Sequence, residues 1–265
     1  MSLVFASGYL IPQRIKRLEY FRGVSERYPG ALFPRVDLAA SVEERANQLA
    51  EQIQRVFPEG RIDIIGHSMG GLDARFLLSH NLRGLAARVA TLSTISTPHR
   101  GSPLADLVAG PTPLGPQRLA YETVKDLIAR LGLDIGGLGS LTTRAAVQFN
   151  QECPDVPGIG YFAYAGCGPR CYFLRAGGWL IEKAASSADE RENDGLVSVA
   201  SAQWPGSRLA APPWPADHLA EIGYDLDRAG AKPEFDYLRA IAQVVDRALG
   251  VPDAGQSQEL TRGAT

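Results

Sequence analysis

The chain is poor in the features that mark several protein classes. It has 3 cysteines, an odd number, so no complete disulfide framework can be built. Cys167 and Cys171 stand four apart with no second pair of ligands, which is not the spacing of a zinc site; a local disulfide between them stays open. No excess of positive charge exists: 27 Lys and Arg face 29 Asp and Glu, for a net charge of −2. That balance argues against a nucleic-acid binder, which must neutralise phosphates. No uninterrupted apolar run reaches the ~18 residues of a membrane-spanning helix. Repeats and low-complexity tracts are lacking too. The apolar opening, residues 1–11, has no basic segment before it and no small-residue cleavage site after it, so it reads as a buried first strand at Leu3, Val4, Phe5 and Ala6. The expectation is a cytoplasmic protein, or a secreted one whose leader has been removed.

What is present supports a large core. Hydrophobic residues make up 45% of the 265 positions, enough to exclude a disordered chain. Strand-like and helix-like patterns alternate through the first third, as in an α/β fold with a mostly parallel sheet. Residues 20–28 read as a helix and 32–36 as a short strand. Ser41 and Glu44 form a capping box ahead of Val42, Ala46, Leu49, Ile53 and Val56 at helical spacing, and Pro58 ends that helix. Strands are expected at 62–65, 89–95 and 159–165. A C-terminal amphipathic helix is expected at 235–249, with Leu238, Ile241, Val244, Val245 and Ala248 on one side. We expect a single domain over residues 1–250 and a polar tail over 251–265. The region of about 105–150 interrupts the rhythm as an insertion. Within it, Val124, Leu127, Ile128 and Leu131 stripe a segment bounded by glycine- and proline-rich hinges, the pattern of a surface helix or of a movable flap.

The chemistry is concentrated at residues 62–75. Gly66-His67-Ser68-Met69-Gly70 places Gly-x-Ser-x-Gly between an apolar strand and a helix. A serine on such a turn is thrust out of the sheet, glycines at either side avoid a clash, and the helix N-terminus offers free amides to developing negative charge. Ser68 is therefore the expected nucleophile. It needs a base, and the base needs a carboxylate to orient it. Only 4 histidines exist. His67 adjoins the serine and points away from it, and His80 lies at the far end of the following helix. His99 follows Ser68 too closely to leave room for an intervening acid. The order Ser, acid, His of this architecture favours His218. Asp194, in Asn193-Asp194-Gly195, is the best acid by turn geometry, although Asp-Gly is also an ordinary turn pair.

These motifs resemble a known family. Gly66-His67-Ser68-Met69-Gly70-Gly71, the stretch from Ser96 through Pro98 and His99 to Ser102, Asn193-Asp194-Gly195-Leu196-Val197 and His218-Leu219-Ala220-Glu221-Ile222 are together similar to the bacterial true lipases of family I, over most of residues 3–249. The resemblance implies an α/β-hydrolase fold: a mostly parallel central sheet with helices on both faces and a helical lid, here 116–131. It implies a triacylglycerol lipase or other carboxylic ester hydrolase with the triad Ser68, Asp194 and His218. The oxyanion hole is expected from the backbone amides of Tyr9 and Met69, with Ser7-Gly8 where the family has His-Gly. We assign His67, Leu127, Ile128, Leu131 and Leu196 to substrate contact. The family's structural calcium takes a carboxylate two residues after the base; that position is Ala220, so no metal and no cofactor are expected. The implied partners are a lipid or other ester substrate and a lipid–water interface, with the oligomeric state open. A carboxylesterase for short-chain or polymeric esters, an acyltransferase or thioesterase with the same triad, and a non-catalytic module on this scaffold are the alternatives.

Overall fold

The computed structural model describes residues 2–8, 19–37, 40–112, 138–168, 170–226 and 235–250, with isolated positions between 115 and 125. Four parallel strands form the described sheet in the order β1 (Ser2–Ala6), β2 (Ile62–His67), β3 (Val89–Ile95) and β4 (Gly160–Tyr164). Such a sheet must be covered on both faces, because successive side chains point to opposite sides. On β2, Ile62 and Ile64 face a cluster built on α2 (Val42–Val56) and α3 (Met69–Ser79), while Ile65 faces one that includes Phe5, Ile95 and α8 (Tyr237–Ala248). Each fully buried aliphatic side chain of this kind stabilises the fold by about 1.5–3 kcal/mol relative to exposure. The remaining described helices are α1 (Val24–Arg27), α4 (Pro103–Ala109), α5 (Thr143–Glu152), α6 (Tyr172–Ala184) and α7 (Ala188–Arg191). α4 and α6 pack together near the loops that follow β3 and β4.

The capping box forms as the sequence suggests: the Glu44 amide donates to Ser41 Oγ, and the Ser41 amide donates to the Glu44 carboxylate. Strand expectations hold to within a residue or two for β1, β3 and β4, and β2 runs on to His67. Three expectations are corrected. Residues 20–28 form only the single turn α1, because Gly23 takes a left-handed φ of 77° ahead of it. The segment 32–36 is reduced to one bridge between Leu32 and Val4, since Pro34 has no amide with which to extend a ladder. Val56 and Leu238, counted with the apolar faces of their helices, are exposed. None of the three cysteines forms a disulfide, so Cys167 and Cys171 are not joined. The C-terminal tail and most of 116–131 lie outside the described residues.

Candidate active site

Ser68 occupies the turn between β2 and α3 with φ 55° and ψ −132°, a left-handed backbone that strains any residue other than glycine. Two bonds hold the strain in place: the Ser68 amide donates to Ile95 O at 2.9 Å, and the Gly71 amide donates to Ser68 O at 3.1 Å. The flanking glycines are required by contact. A Cβ on Gly66 would stand 2.7 Å from the Gly71 amide nitrogen, and one on Gly70 would strike the Ala6 carbonyl. Met69, the first residue of α3, has an amide with no partner in its own helix turn, as every helix start must. Gly8, at the end of β1, lies against the nucleophile, since a Cβ there would be 2.5 Å from Ser68 Cβ. Tyr9 lies outside the described residues.

The acid and the base meet from separate loops. Asp194 sits in the tight turn that Asn193-Asp194-Gly195 suggests, with Gly195 at φ 101° and the Gly195 amide donating to Asn193 Oδ1 at 2.9 Å. Asp194 Oδ1 accepts from the amides of Leu196 and Val197 at 2.8 and 2.7 Å. Its Oδ2 lies 2.6 Å from His218 Nδ1. The His218 amide also donates to Asp194 O at 3.0 Å, so backbone and side chain both lock the pair. Asp194 and His218 are fully buried. Among the described residues, His218 Nε2 is buried without a hydrogen-bond partner, so Ser68 does not bond it in this state; such contacts often tighten only with substrate.

The other histidines divide by environment. His67 is fully enclosed: Nδ1 is 2.8 Å from Tyr20 Oη, Nε2 is 3.0 Å from Glu221 Oε2, and its ring lies 4.5 Å from that of His218. It therefore presents no surface to a substrate. Burial, followed by the nearby His218, holds its pKa well below the usual histidine value. His99 is equally buried between Arg75 Nη1 at 3.2 Å and Thr94 Oγ1 at 3.1 Å, and is kept neutral first by burial and then by Arg75 and Arg100. His80 is exposed and stacks on Phe76. Leu196 is half-buried beside the acid turn, where Ser102 Oγ donates to its carbonyl at 2.8 Å. Leu127, Ile128 and Leu131 lie outside the described residues.

Glu221 is the principal group that sequence reasoning passed over. It stands one helical turn beyond His218, fully buried, with Oε1 accepting from Ser96 Oγ at 2.7 Å. Ser96 itself is held at φ 42° and accepts the Gly166 amide on the same oxygen. Burial, then the charge of Asp194, pushes the Glu221 carboxyl well above its ordinary range. The i, i+3 spacing from the base was the only available signal. His67, His218 and Glu221 bring ligand atoms within 4.8 Å of one another, but two of those atoms already share a hydrogen bond. A hard cation prefers carboxylate oxygens, and the site at Ala220 does not provide them. The adjoining Asp217 has both oxygens engaged, Oδ1 by the amides of Leu219 and Ala220 at 3.0 and 2.8 Å and Oδ2 by the amide of Cys171 at 2.7 Å. These residues do not fit the calcium that the family resemblance implies.

Comparison with known proteins finds likeness to lipases and esterases. The family description "PGAP1-like alpha/beta domain" matches residues 39–108, which hold α2, the nucleophile turn and β3. Triacylglycerol lipase 2 of Saccharomyces cerevisiae is 34% identical over 173 residues, 62% of this chain and 49% of that protein, so the chain spans about half of this relative's length. A triacylglycerol lipase of Vibrio cholerae is 28% identical, covering 83% of this chain and 78% of its own. Among solved structures, a metagenomic carboxyl esterase superposes with a TM-score of 0.67 at 24% identity, over 93% of this chain and 76% of that one. That likeness establishes the fold.

Proposed function

We propose that this chain, a lipase-related member of the α/β-hydrolase superfamily, is a serine ester hydrolase that acts on acylglycerols. The observation that carries the reading is the 2.6 Å pair of His218 and Asp194, with Nε2 of the imidazole unpaired. Asp194 fixes His218 in the tautomer with the proton on Nδ1, which leaves Nε2 as a base. Ser68 Oγ attacks the ester carbonyl as its proton passes to Nε2. The amides of Met69 and Tyr9 receive the oxyanion, where preorganised donors are worth most. The carbon–alkoxide bond then breaks, and His218 gives its proton to the departing alcohol. Water attacks the acyl-enzyme by the same route in reverse, releasing the carboxylic acid and restoring Ser68.

The acyl side is assigned to Leu196 and to Leu127, Ile128 and Leu131 of the 116–131 segment, which would act as the lid at a lipid–water interface. Their apolar spacing supports that reading. Among the described residues, no helix is long and apolar enough to cross a membrane. Turnover is proposed to be independent of calcium, supported by Ala220 and by the engaged carboxylate of Asp217. The test is initial rates on p-nitrophenyl esters from acetate to palmitate, for wild type and Ser68→Ala, with and without a chelator. We expect a loss of about a millionfold in kcat in the variant, a maximum at long chains, and no chelator effect. Full activity in Ser68→Ala would refute the mechanism, and a short-chain maximum would move the substrate to simple esters.

A further inference from the structure

We propose that α6 and the chain leading into it are a common seat that fixes Asp194 against His218, with Asp217 and Asn193 as the positioning residues that fasten the base and the acid to it. This rests on the hydrolase reading above and deepens it. On the base side, the chain before His218 runs along the stretch between β4 and α6: the Trp214 amide donates to Ala165 O, and the Cys167 amide donates to Trp214 O, both at 2.8 Å. A Cβ on Gly168 would strike the Ala216 amide nitrogen, so the two stretches touch backbone to backbone. Asp217, 4% exposed, closes the tie. Its Oδ2 accepts at 2.7 Å from the amide of Cys171, the residue at the N-cap of α6. Its Oδ1 accepts from Leu219 and Ala220, just past the base, at 3.0 and 2.8 Å. Ala220 stands where the family resemblance puts a calcium ligand, and here it gives its amide to Asp217 instead.

The acid side is tied about two turns further along the same helix. A Cβ on Gly177 would strike Gly195 O, and one on Gly195 would stand 2.7 Å from Leu174 Cβ. Asn193 is fully buried, with Nδ2 donating to Gly178 O of α6 at 3.4 Å and to Arg191 O at 2.7 Å. Its Oδ1 accepts the Gly195 amide at 2.9 Å, which closes the turn that carries Asp194. Both partners of the 2.6 Å contact are therefore referred to one helix. The consequence for catalysis is mechanical. An imidazole is oriented only while its loop keeps its spacing from the acid turn, and a misplacement of about 1 Å can cost about a hundredfold in rate. Counting acceptors shows why position 217 needs a carboxylate. Three amides converge on its two oxygens. Asparagine has a single acceptor oxygen, so it can serve Leu219 and Ala220 or Cys171, but not both sides of the tie.

The test is Asp217→Asn in the full chain, which keeps the shape of the side chain and loses one acceptor. Three quantities are read well below the melting temperature of either protein. They are kcat and KM on p-nitrophenyl esters, and the proton NMR signal of His218 Nδ1–H, which a 2.6 Å bond to a carboxylate carries far downfield. We expect kcat to fall about tenfold to a hundredfold with KM nearly unchanged, because the acid–base pair acts in the transition state. The Nδ1 signal should move upfield or broaden away. An unchanged kcat would overturn the proposal. So would a lower kcat with the Nδ1 signal unmoved, which marks a loss that does not pass through the acid–base contact. Should Asp217→Asn fail to fold, Asn193→Ala removes the bonds to Gly178 and Gly195 on the acid side and is read in the same way. A wild type without esterase activity would refute the hydrolase reading alone. The Nδ1 signals of wild type and variant would still decide the seat, with a moved signal upholding it and an equal one overturning it.

Discussion

Replacing Glu221 by Gln should change how stability depends on pH, by an amount the site dictates. The carboxyl is fully buried, and among the described residues its hydrogen-bond partners are Ser96 and His67, with no Lys or Arg among them. Burial first, then the charges of Asp194 and Asp217, raise its pKa well above 4.5, outweighing the hydroxyl of Ser96. The native state therefore holds a proton that the unfolded chain has released. With native protons in excess, stability is fully present below the unfolded pKa and falls as pH rises towards the folded one, by about 1.4 kcal/mol per pH unit. Other buried groups titrate nearby. His67 and His99, whose pKa values are lowered, give the opposite slope below their ordinary value, and Asp73 is pushed up to about 6. Subtracting the variant from the wild type cancels His99 and Asp73, which make no hydrogen bond to Glu221, and leaves the Glu221–His67 pair as the source of the difference. Gln reproduces the shape and hydrogen bonds of the neutral acid without the titration. Urea unfolding between about pH 5 and about pH 7 should show wild type losing stability relative to Glu221→Gln as pH rises, at no more than about 1.4 kcal/mol per pH unit. Parallel curves would refute the reasoning. A difference of opposite sign would mean that Glu221 is ionised beside a charged His67.

Two further predictions follow from backbone contacts. Gly70→Ala would push a methyl to 2.7 Å from the Ala6 carbonyl carbon's position and 2.8 Å from Ser7 O. Overpacking at a rigid turn should cost about 3 kcal/mol, read as a lower melting temperature together with lost turnover. Asp217→Ala should release the amides of Leu219, Ala220 and Cys171. Such a loss destabilises by about 3 kcal/mol, and added calcium should restore neither stability nor rate, as chemical denaturation with and without the ion will show.

What the sequence makes legible here is what the local backbone enforces. Ser68 can be read because its turn demands glycine on both sides, and Gly66 and Gly70 do stand against backbone atoms. Asp194 can be read because Asn-Asp-Gly is a turn wherever it falls, and His218 because chain order leaves few alternatives. The first and third strands are legible from continuous apolar runs, and α2 from its box and stripe. Where backbone chemistry intervenes, the pattern misleads. Gly23 cuts a helical stripe to one turn, and Pro34 ends a strand after a single bridge. The support of the site is illegible for a different reason. Tyr20, His67, Ser96 and Glu221 come from four separated stretches, and each alone looks like a core aromatic, a motif neighbour, a turn serine and a surface acid. Only burial together joins them, Ser96 to Glu221, Glu221 to His67 and His67 to Tyr20, and the same desolvation lowers the pKa of His67 and raises that of Glu221. The nucleophile, base and acid are thus declared locally. The hydrogen-bonded group buried beside them is a property of the assembled core, which no single stretch of sequence announces.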